Sequence, residues 1–402
     1  MSRLVTKKYL LPFILITSLF FMWGFARAIL DVLNKHFQEQ LSISITQSTL
    51  IQATTYLGYF LMALPAGVVI TRYGYRRGVV LGLLLFGIGS LLFIPGQSMM
   101  SFAVFLGALF VIGCGLAVLE TAANPYAAEL GDKATAASRL NLAQSFNGLG
   151  CILAPVIVGG FLFSDSSANV AVPYTIMGVV VLLVAFLFTR VSLPEIQESD
   201  SAAPVGAAHA GIAATIKALW SDKGFRLGVL ALFCYEVAEI SINSLFINYA
   251  TADGWMGRET AAAVLSFGAL GLFMVARVIG SWAMSRIAAQ KVLLFCAVMT
   301  VAGALAVTLD AGALSHAGVF ICYAFEAIMF PTIFAITISR AGSSVKIASS
   351  FLMMTPIGGA VGTLLMGLVA DATSMSTAFI VPAAGYALVL LYALYALKTN
   401  RK

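Results

Sequence analysis

Charge is what this chain lacks. Only 10 % of its 402 residues are Asp, Glu, Lys or Arg, against about a quarter in an ordinary soluble chain. With 60 % hydrophobic residues and a mean hydropathy of +0.98, too little polar surface exists to cover a water-soluble globule. The apolar side chains must face lipid as well as one another. Histidine is nearly missing too: His36, His209 and His316 fall at span ends or in loops, so no histidine relay is indicated. The five cysteines, Cys114, Cys151, Cys234, Cys296 and Cys322, lie inside apolar stretches without metal-type spacing or a disulfide framework. There is no phosphate loop and no nucleophile–base constellation, and no soluble domain to carry a signal. An enzyme, a cofactor and a nucleic-acid partner are therefore not expected. The net charge of +6 has a simpler origin in how the cations are distributed.

A membrane-spanning helix needs about 20 predominantly apolar residues. The chain offers twelve such stretches, near 9–34, 46–71, 79–96, 101–127, 140–163 and 173–190, then 225–249, 261–285, 292–309, 317–339, 348–370 and 376–397. With the N-terminus in the cytoplasm, 19 of the 23 Lys and Arg fall on that side, Lys35 and Arg258 fall outside, and Arg27 and Arg277 lie within spans. One wrong span would invert every later loop and destroy this asymmetry. The expected fold is an all-α membrane protein of twelve transmembrane helices with both termini cytoplasmic. The first span is taken as a membrane helix. Its removal as a signal peptide would leave eleven spans and break the symmetry of the halves.

The longest polar segment, from Val191 to about Lys223, divides the spans six and six. That is the layout of transporters built from two pseudo-symmetric six-helix bundles. The expected domains are 1–190 and 225–402, joined by a cytoplasmic linker, 191–224. The loop after span 2 carries Gly67, Arg72, Gly74 and Arg76 in the spacing of the major facilitator loop G-x-x-x-D-R-x-G-R-R. Thr71 replaces its Asp and Tyr75 one Arg, and Arg286 to Lys291 echo it weakly after span 8. Cations here meet helix C-terminal dipoles and lipid headgroups, a conformational gating loop in transporters of this layout.

Five acids lie where acids should not be: Asp31 in span 1, Glu120 in span 4, Glu236 and Glu239 in span 7, and Glu326 in span 10. An ionisable group at membrane depth is costly and marks function by default. Arg27 and Asp31, four apart, share one helix face. Glu120 has no cation in its own span, so it can carry a proton near neutral pH. Glu239 and Asn243 share another face. Glu326 precedes Phe330-Pro331, where a proline break frees backbone carbonyls. Span 5 begins with Asn141, Gln144 and Ser145 on one face and Asn147 near its edge. Amides suit sugar hydroxyls, and Trp23, Tyr235 and Phe330 are rings able to stack on a pyranose. Taken singly, interhelical hydrogen bonding for each amide and plain packing for each ring are the simpler readings.

Four stretches together resemble the fucose permease branch of the major facilitator superfamily, the fucose–proton symporters with their glucose/galactose relatives. They run from Phe20-Phe21-Met22-Trp23-Gly24 to Asp31, from Leu119-Glu120 to Asn124-Pro125, from Arg139 to Asn147, and from Phe330-Pro331 to Phe334. The resemblance implies proton-coupled monosaccharide uptake by alternating access. It places Asp31 and Glu120 on the family's acids for substrate binding and proton coupling. Gln144 and Asn147 match its span 5 cavity positions, and Glu239 matches a span 7 Glu of some hexose carriers. Substrate contacts are expected from Asp31, Arg27, Gln144, Asn147, Asn141, Glu239, Asn243, Glu326, Trp23, Tyr235 and Phe330. Leu30, Arg27 and Glu326 depart from the pattern, and Arg27 leaves an acidic sugar as an alternative to a neutral hexose. The other expected partner is the lipid bilayer, and the expected state is a monomer in a bacterial inner membrane. Sodium coupling and proton-driven efflux remain as alternatives; the run Gly150 to Gly160 with Pro155 resembles an efflux motif, imperfectly spaced.

Overall fold

In hydrocarbon no water is available to the backbone, so each N–H and C=O must be satisfied inside its own segment, and apolar stretches fold as helices. The computed structural model describes residues 9–130, 136–164, 169–190, 214, 216–252, 254–284, 286–340, 348 and 351–399. Most of the expected linker, 191–224, lies outside the described residues, as do the side chains of Arg72 and Asn141.

Among the described residues, twelve helices fall on the twelve expected spans. The first six are α1 (Leu10–Leu41), α2 (Leu50–Tyr73), α3 (Tyr75–Leu91, continued by Phe93–Ser98), α4 (Phe102–Glu129), α5 (Ala136–Ser164) and α6 (Ala171–Arg190). The others are α7 (Lys223–Ala252), α8 (Arg258–Met284), α9 (Ala289–Thr308), α10 (Ala313–Ile338), α11 (Ile357–Ala372) and α12 (Ile380–Thr399). Ten are long and apolar enough to cross a membrane. The remaining two are α2, with 24 residues, and the shorter α11, with 16. Besides the break in α3 at Leu92, α8 contains a π-helical segment, Val264–Leu270, and α10 breaks at Ala327 and Ile328.

Packing divides the chain into two compact units, Met1–Gln197 with Ser244–Gly268, and Glu198–Asn243 with Ala269–Lys402. In the first, α1 packs on α5, α2 on α4, and α3 on both α4 and α6. In the second, α8 packs on α10, and α9 on both α10 and α12, while α7 approaches α11 at Gly358 and Gly362. Adding six to each helix number converts the first set into the second. The six-helix repeat expected from the midpoint loop is thus visible in which helices pair. Small residues set the closest approaches, as they do between membrane helices generally. A Cβ at Gly24 of α1 would stand 2.1 Å from the Asn147 carbonyl oxygen of α5, and one at Gly362 of α11 2.1 Å from that of Val237 in α7.

The end of α7 and the start of α8 belong to the first unit because their polar groups and small residues are spent there. Arg258–Ala263 packs on α5, with Ala262 against Gly159. Lys35 and Arg258, the only cations expected on the outer side, both pair with Glu39, Lys35 at 3.7 Å. Gln38 accepts from Asn248 Nδ2 at 2.6 Å and donates to Ser48 Oγ at 2.7 Å. At the other end of the unit, Gly74 takes a φ of 84°, which favours glycine, and turns α2 directly into α3. Two residues on, Arg76 donates to the carbonyls of Phe188 (3.0 Å) and Thr189. These belong to the last turn of α6, where the helix dipole favours a cation.

Candidate functional site

In the first unit the polar groups form a strip on α1 facing a matching strip on α2. Trp23, Arg27, Asp31, Asn34 and Gln38 recur at intervals of four, four, three and four residues, which keeps them on one helical face. Gln52, Tyr56 and Tyr59 of α2, with Ser48 in the short helical turn just before it (Ile45–Ser48), follow the same rule. The strips meet rung by rung. Arg27 Nε donates to Tyr56 Oη at 3.2 Å, Gln52 Nε2 to Asp31 Oδ1 at 3.3 Å, and Gln38 to Ser48. The end of α7 adds the Ser244 hydroxyl, which donates to Asp31 Oδ1 at 3.4 Å, and the Ser244 carbonyl, which accepts from Asn34 Nδ2 at 2.8 Å.

Glu120 of α4 is half-buried beside this strip. Its expected isolation holds only within its own helix: Arg27 of α1 acts on it electrostatically, and Tyr59 lies within the fields of both. The structure therefore brings Glu120 of α4 beside the α1 strip of Trp23, Arg27 and Asp31, far from it in sequence. Trp23 stands 6.0 Å from the ring of Phe20.

The span 5 amides have separate fates. Asn147 Nδ2 donates to the Phe20 carbonyl at 3.1 Å, beside the close approach of Gly24, so this amide ties α5 to α1. Gln144 and Ser145 are exposed on α5. Gly150 of the efflux-like run abuts the Phe21 carbonyl at 2.3 Å from its would-be Cβ, which makes it a packing residue.

The second unit has a cluster of its own. Tyr235, Glu236, Glu239 and Asn243 of α7 are all buried, and Asn243 Nδ2 donates to Glu239 Oε1 at 2.8 Å. Tyr235 stands 6.2 Å from Phe330, which is 6.2 Å from Phe334. Glu326 of α10 is fully buried and accepts the Tyr386 hydroxyl of α12. Glu239, Glu236 and Arg277 of α8 all act on it electrostatically. The α10 break follows from Pro331: having no N–H, it leaves the Ala327 carbonyl without its helical donor. Arg277 Nε fills that place at 3.0 Å. The carbonyl freed by the proline, expected to line a cavity, is in fact capped by an arginine.

The α2 strip and Tyr386 were missed in the sequence. For Ser48, Gln52, Tyr56 and Tyr59 the signal was their spacing within an apolar helix. Tyr386, one tyrosine among several in an apolar helix, gave none. Among the described residues no group of three or more His, Cys, Asp or Glu is arranged to hold a metal ion.

These features can be set beside known proteins. The Major Facilitator Superfamily profile matches residues 16–355. The chain is 34 % identical over 419 residues to the L-fucose-proton symporter of Escherichia coli K12, covering 98 % of this chain and 95 % of that protein. It is 36 % identical over 404 residues to a glucose/galactose transporter of Brucella abortus, covering 98 % and 96 %. The crystal structure of the major facilitator transporter FucP in the outward conformation matches with a TM-score of 0.73 at 34 % identity, over 97 % of this chain and 99 % of that one. A D-xylose-proton symporter shares the fold, with a TM-score of 0.72 at 14 % identity over 96 % of both chains. A chain with a repeated six-helix packing pattern, intramembrane acids in both units and relatives of this kind across its length belongs to the major facilitator superfamily.

Proposed function

We propose that this protein is a secondary active transporter that takes up a neutral monosaccharide of the fucose, glucose or galactose type together with protons, by alternating access. The observation that carries the reading is the network of Arg27, Asp31, Glu120, Tyr56 and Gln52 inside an otherwise apolar unit. Such groups are expensive at membrane depth and persist where a substrate or proton passes. Glu120 and Asp31 are the coupling acids.

The neutral sugar is favoured over an acidic one by charge accounting. Arg27 already acts on Glu120 across the helix pair, with Asp31 four residues away on its own helix face, so a sugar carboxylate would compete with these acids for it. Uptake is favoured over efflux because Gly150 is spent on packing against α1. The coupling ion is H⁺, with Na⁺ as its rival. The protein acts as a monomer in a bacterial inner membrane, each six-helix half forming one bundle and both termini in the cytoplasm. The 19 cations on one side against two on the other support that orientation. Gly67, Arg72, Gly74 and Arg76 form the cytoplasmic loop that governs the change of state, and the hold of Arg76 on α6 supports this.

The test is labelled-sugar uptake into proteoliposomes under separately imposed H⁺ and Na⁺ gradients. Wild-type protein accumulates sugar with the H⁺ gradient alone. Glu120→Gln loses accumulation and keeps exchange of sugar across the membrane. Normal accumulation by Glu120→Gln removes Glu120 from the coupling site, and accumulation driven by Na⁺ alone refutes the proton reading.

A further inference from the structure

Glu236, Glu239 and Glu326 have no part in the proposed coupling, and Glu326 is the most deeply buried of the five acids. Its side chain is 0 % exposed. Oε2 accepts the Tyr386 hydroxyl, while Oε1 is buried with no hydrogen-bond partner among the described residues. An ionised carboxylate in such a place needs donors on both oxygens and a cation of its own. It has one donor. The charged groups acting on it are Glu239 and Glu236 of α7 and Arg277 of α8, two acids against one guanidinium. The Nε of that guanidinium is taken by the Ala327 carbonyl. On its other sides stand Tyr386 of α12, Tyr235 of α7 and the Cys322 thiol one turn back, none of which brings a positive charge. The neutral acid is the form this pocket accommodates: Tyr386 donates to one oxygen, and Glu326 adds no anion to a pocket that already holds two other acids.

The sequence carries an independent sign. Glu120 is followed five residues later by Pro125, and Glu326 five residues later by Pro331. Both acids lie on the fourth helix of their six, α4 and α10, which the packing pattern shows to be counterparts. The first helix of each half repeats the theme, with Asp31 on α1 and with Glu236 and Glu239 on α7. The second half thus holds a counterpart of the coupling acids, next to a helix break that allows its surroundings to rearrange.

We propose that Glu326 is a second proton-binding site, held by Tyr386 in the C-terminal unit, and that its proton is carried in addition to the one on the Glu120–Asp31 pair. The inference rests on the proton-symport reading above. Its step is a plain proton transfer: a hydronium ion on one side of the membrane gives its proton to the carboxylate and is left as water, and on the other side the O–H bond breaks and the proton passes to a water, which becomes hydronium.

Two measurements test it. Infrared difference spectra of the purified full-length carrier at neutral pH are expected to show the carbonyl-stretch band of a protonated carboxylic acid. That band disappears in Glu326→Gln and shifts in Tyr386→Phe, which keeps the acid and removes its donor. Counting charge against labelled sugar in proteoliposomes is expected to give two charges per sugar for the wild type and one for Glu326→Gln. Should Glu326→Gln fail to fold, Tyr386→Phe carries the infrared test alone. A band indifferent to both substitutions, or a charge ratio unchanged by Glu326→Gln, overturns the proposal. A wild-type carrier that moves no protons with sugar overturns the symport reading and the second proton together. Coupled movement insensitive to Glu326 overturns only the second site.

Discussion

The Arg277–Ala327 contact can be tested by repairing what it replaces. Arg277 stands in for the N–H that Pro331 lacks, at a carbonyl whose residue is fully buried. Arg277→Met removes a hydrogen bond from a charged donor, worth about 1.5–3 kcal/mol, and orphans the carbonyl. For a unit of this size that corresponds to a fall in Tm of roughly 3–12 °C. Pro331→Ala restores a backbone N–H at the place the helix ladder expects it, since Thr332 already donates to the Ile328 carbonyl at 3.2 Å. In the Pro331→Ala background, Arg277→Met should therefore cost at least ~1 kcal/mol less than it does alone, well outside the roughly 0.3–0.5 kcal/mol within which independent sites add. Thermal unfolding in detergent, followed with a thiol-reactive dye, reads this unit directly because Cys234, Cys296 and Cys322 are buried in it. Repeating the cycle in Glu326→Gln removes Arg277's other partner. Additive losses in both backgrounds would refute the idea that Arg277 substitutes for the missing N–H.

How much of this was legible beforehand depends on the range of the signal. Spans and their count follow from local apolar length, and the twelve helices fall on the twelve expected stretches with ends shifted by several residues. The intramembrane acids were legible because each is an anomaly in its own helix. Their partners were not. Arg27 reaches Glu120 and Tyr56 across helix boundaries, and nothing in α4 alone announces a cation from α1. Asn147 looked like a sugar-binding amide on α5, but its donor is spent on the Phe20 carbonyl, because Gly24 lets the two backbones come close. Pro331 announced a broken helix and a free carbonyl, yet the residue that caps it lies about fifty positions upstream. Sequence periodicity reports which face a residue occupies; what stands opposite that face is decided by tertiary packing.

Three further outcomes are expected. Gly362→Ala places a methyl 2.1 Å from the Val237 carbonyl, with no rotamer to relieve it, so it should cost about 1–3 kcal/mol in detergent unfolding. Gly160→Ala, where nothing lies within 4 Å, should be neutral or gain a few tenths through helix propensity; equal losses at both sites would refute the close-approach argument. Gln38→Cys with Asn248→Cys replaces side chains whose ends are 2.6 Å apart, so a short reducible bis-thiol cross-linker should tie α1 to the end of α7, halt sugar uptake and release it on reduction. Full-rate uptake by the fully cross-linked carrier would show that these ends need not part during transport. The last expectation concerns the charge of the sugar. Arg27 balances one of Asp31 and Glu120, and a bound proton neutralises the other, so the loaded site is neutral with a neutral hexose. A uronate adds a negative charge to a site whose charges are already balanced. At ~4 Å from a carboxylate and an effective dielectric of about 20, that repulsion is about 4 kcal/mol, close to a thousandfold in affinity. Neutral hexoses should therefore raise the Tm of the purified carrier in a thermal-shift screen, and their uronic acids should leave it unmoved. A uronic acid that stabilises as well as its parent hexose would mean that Arg27 is free to bind substrate, and that the two acids do not share it.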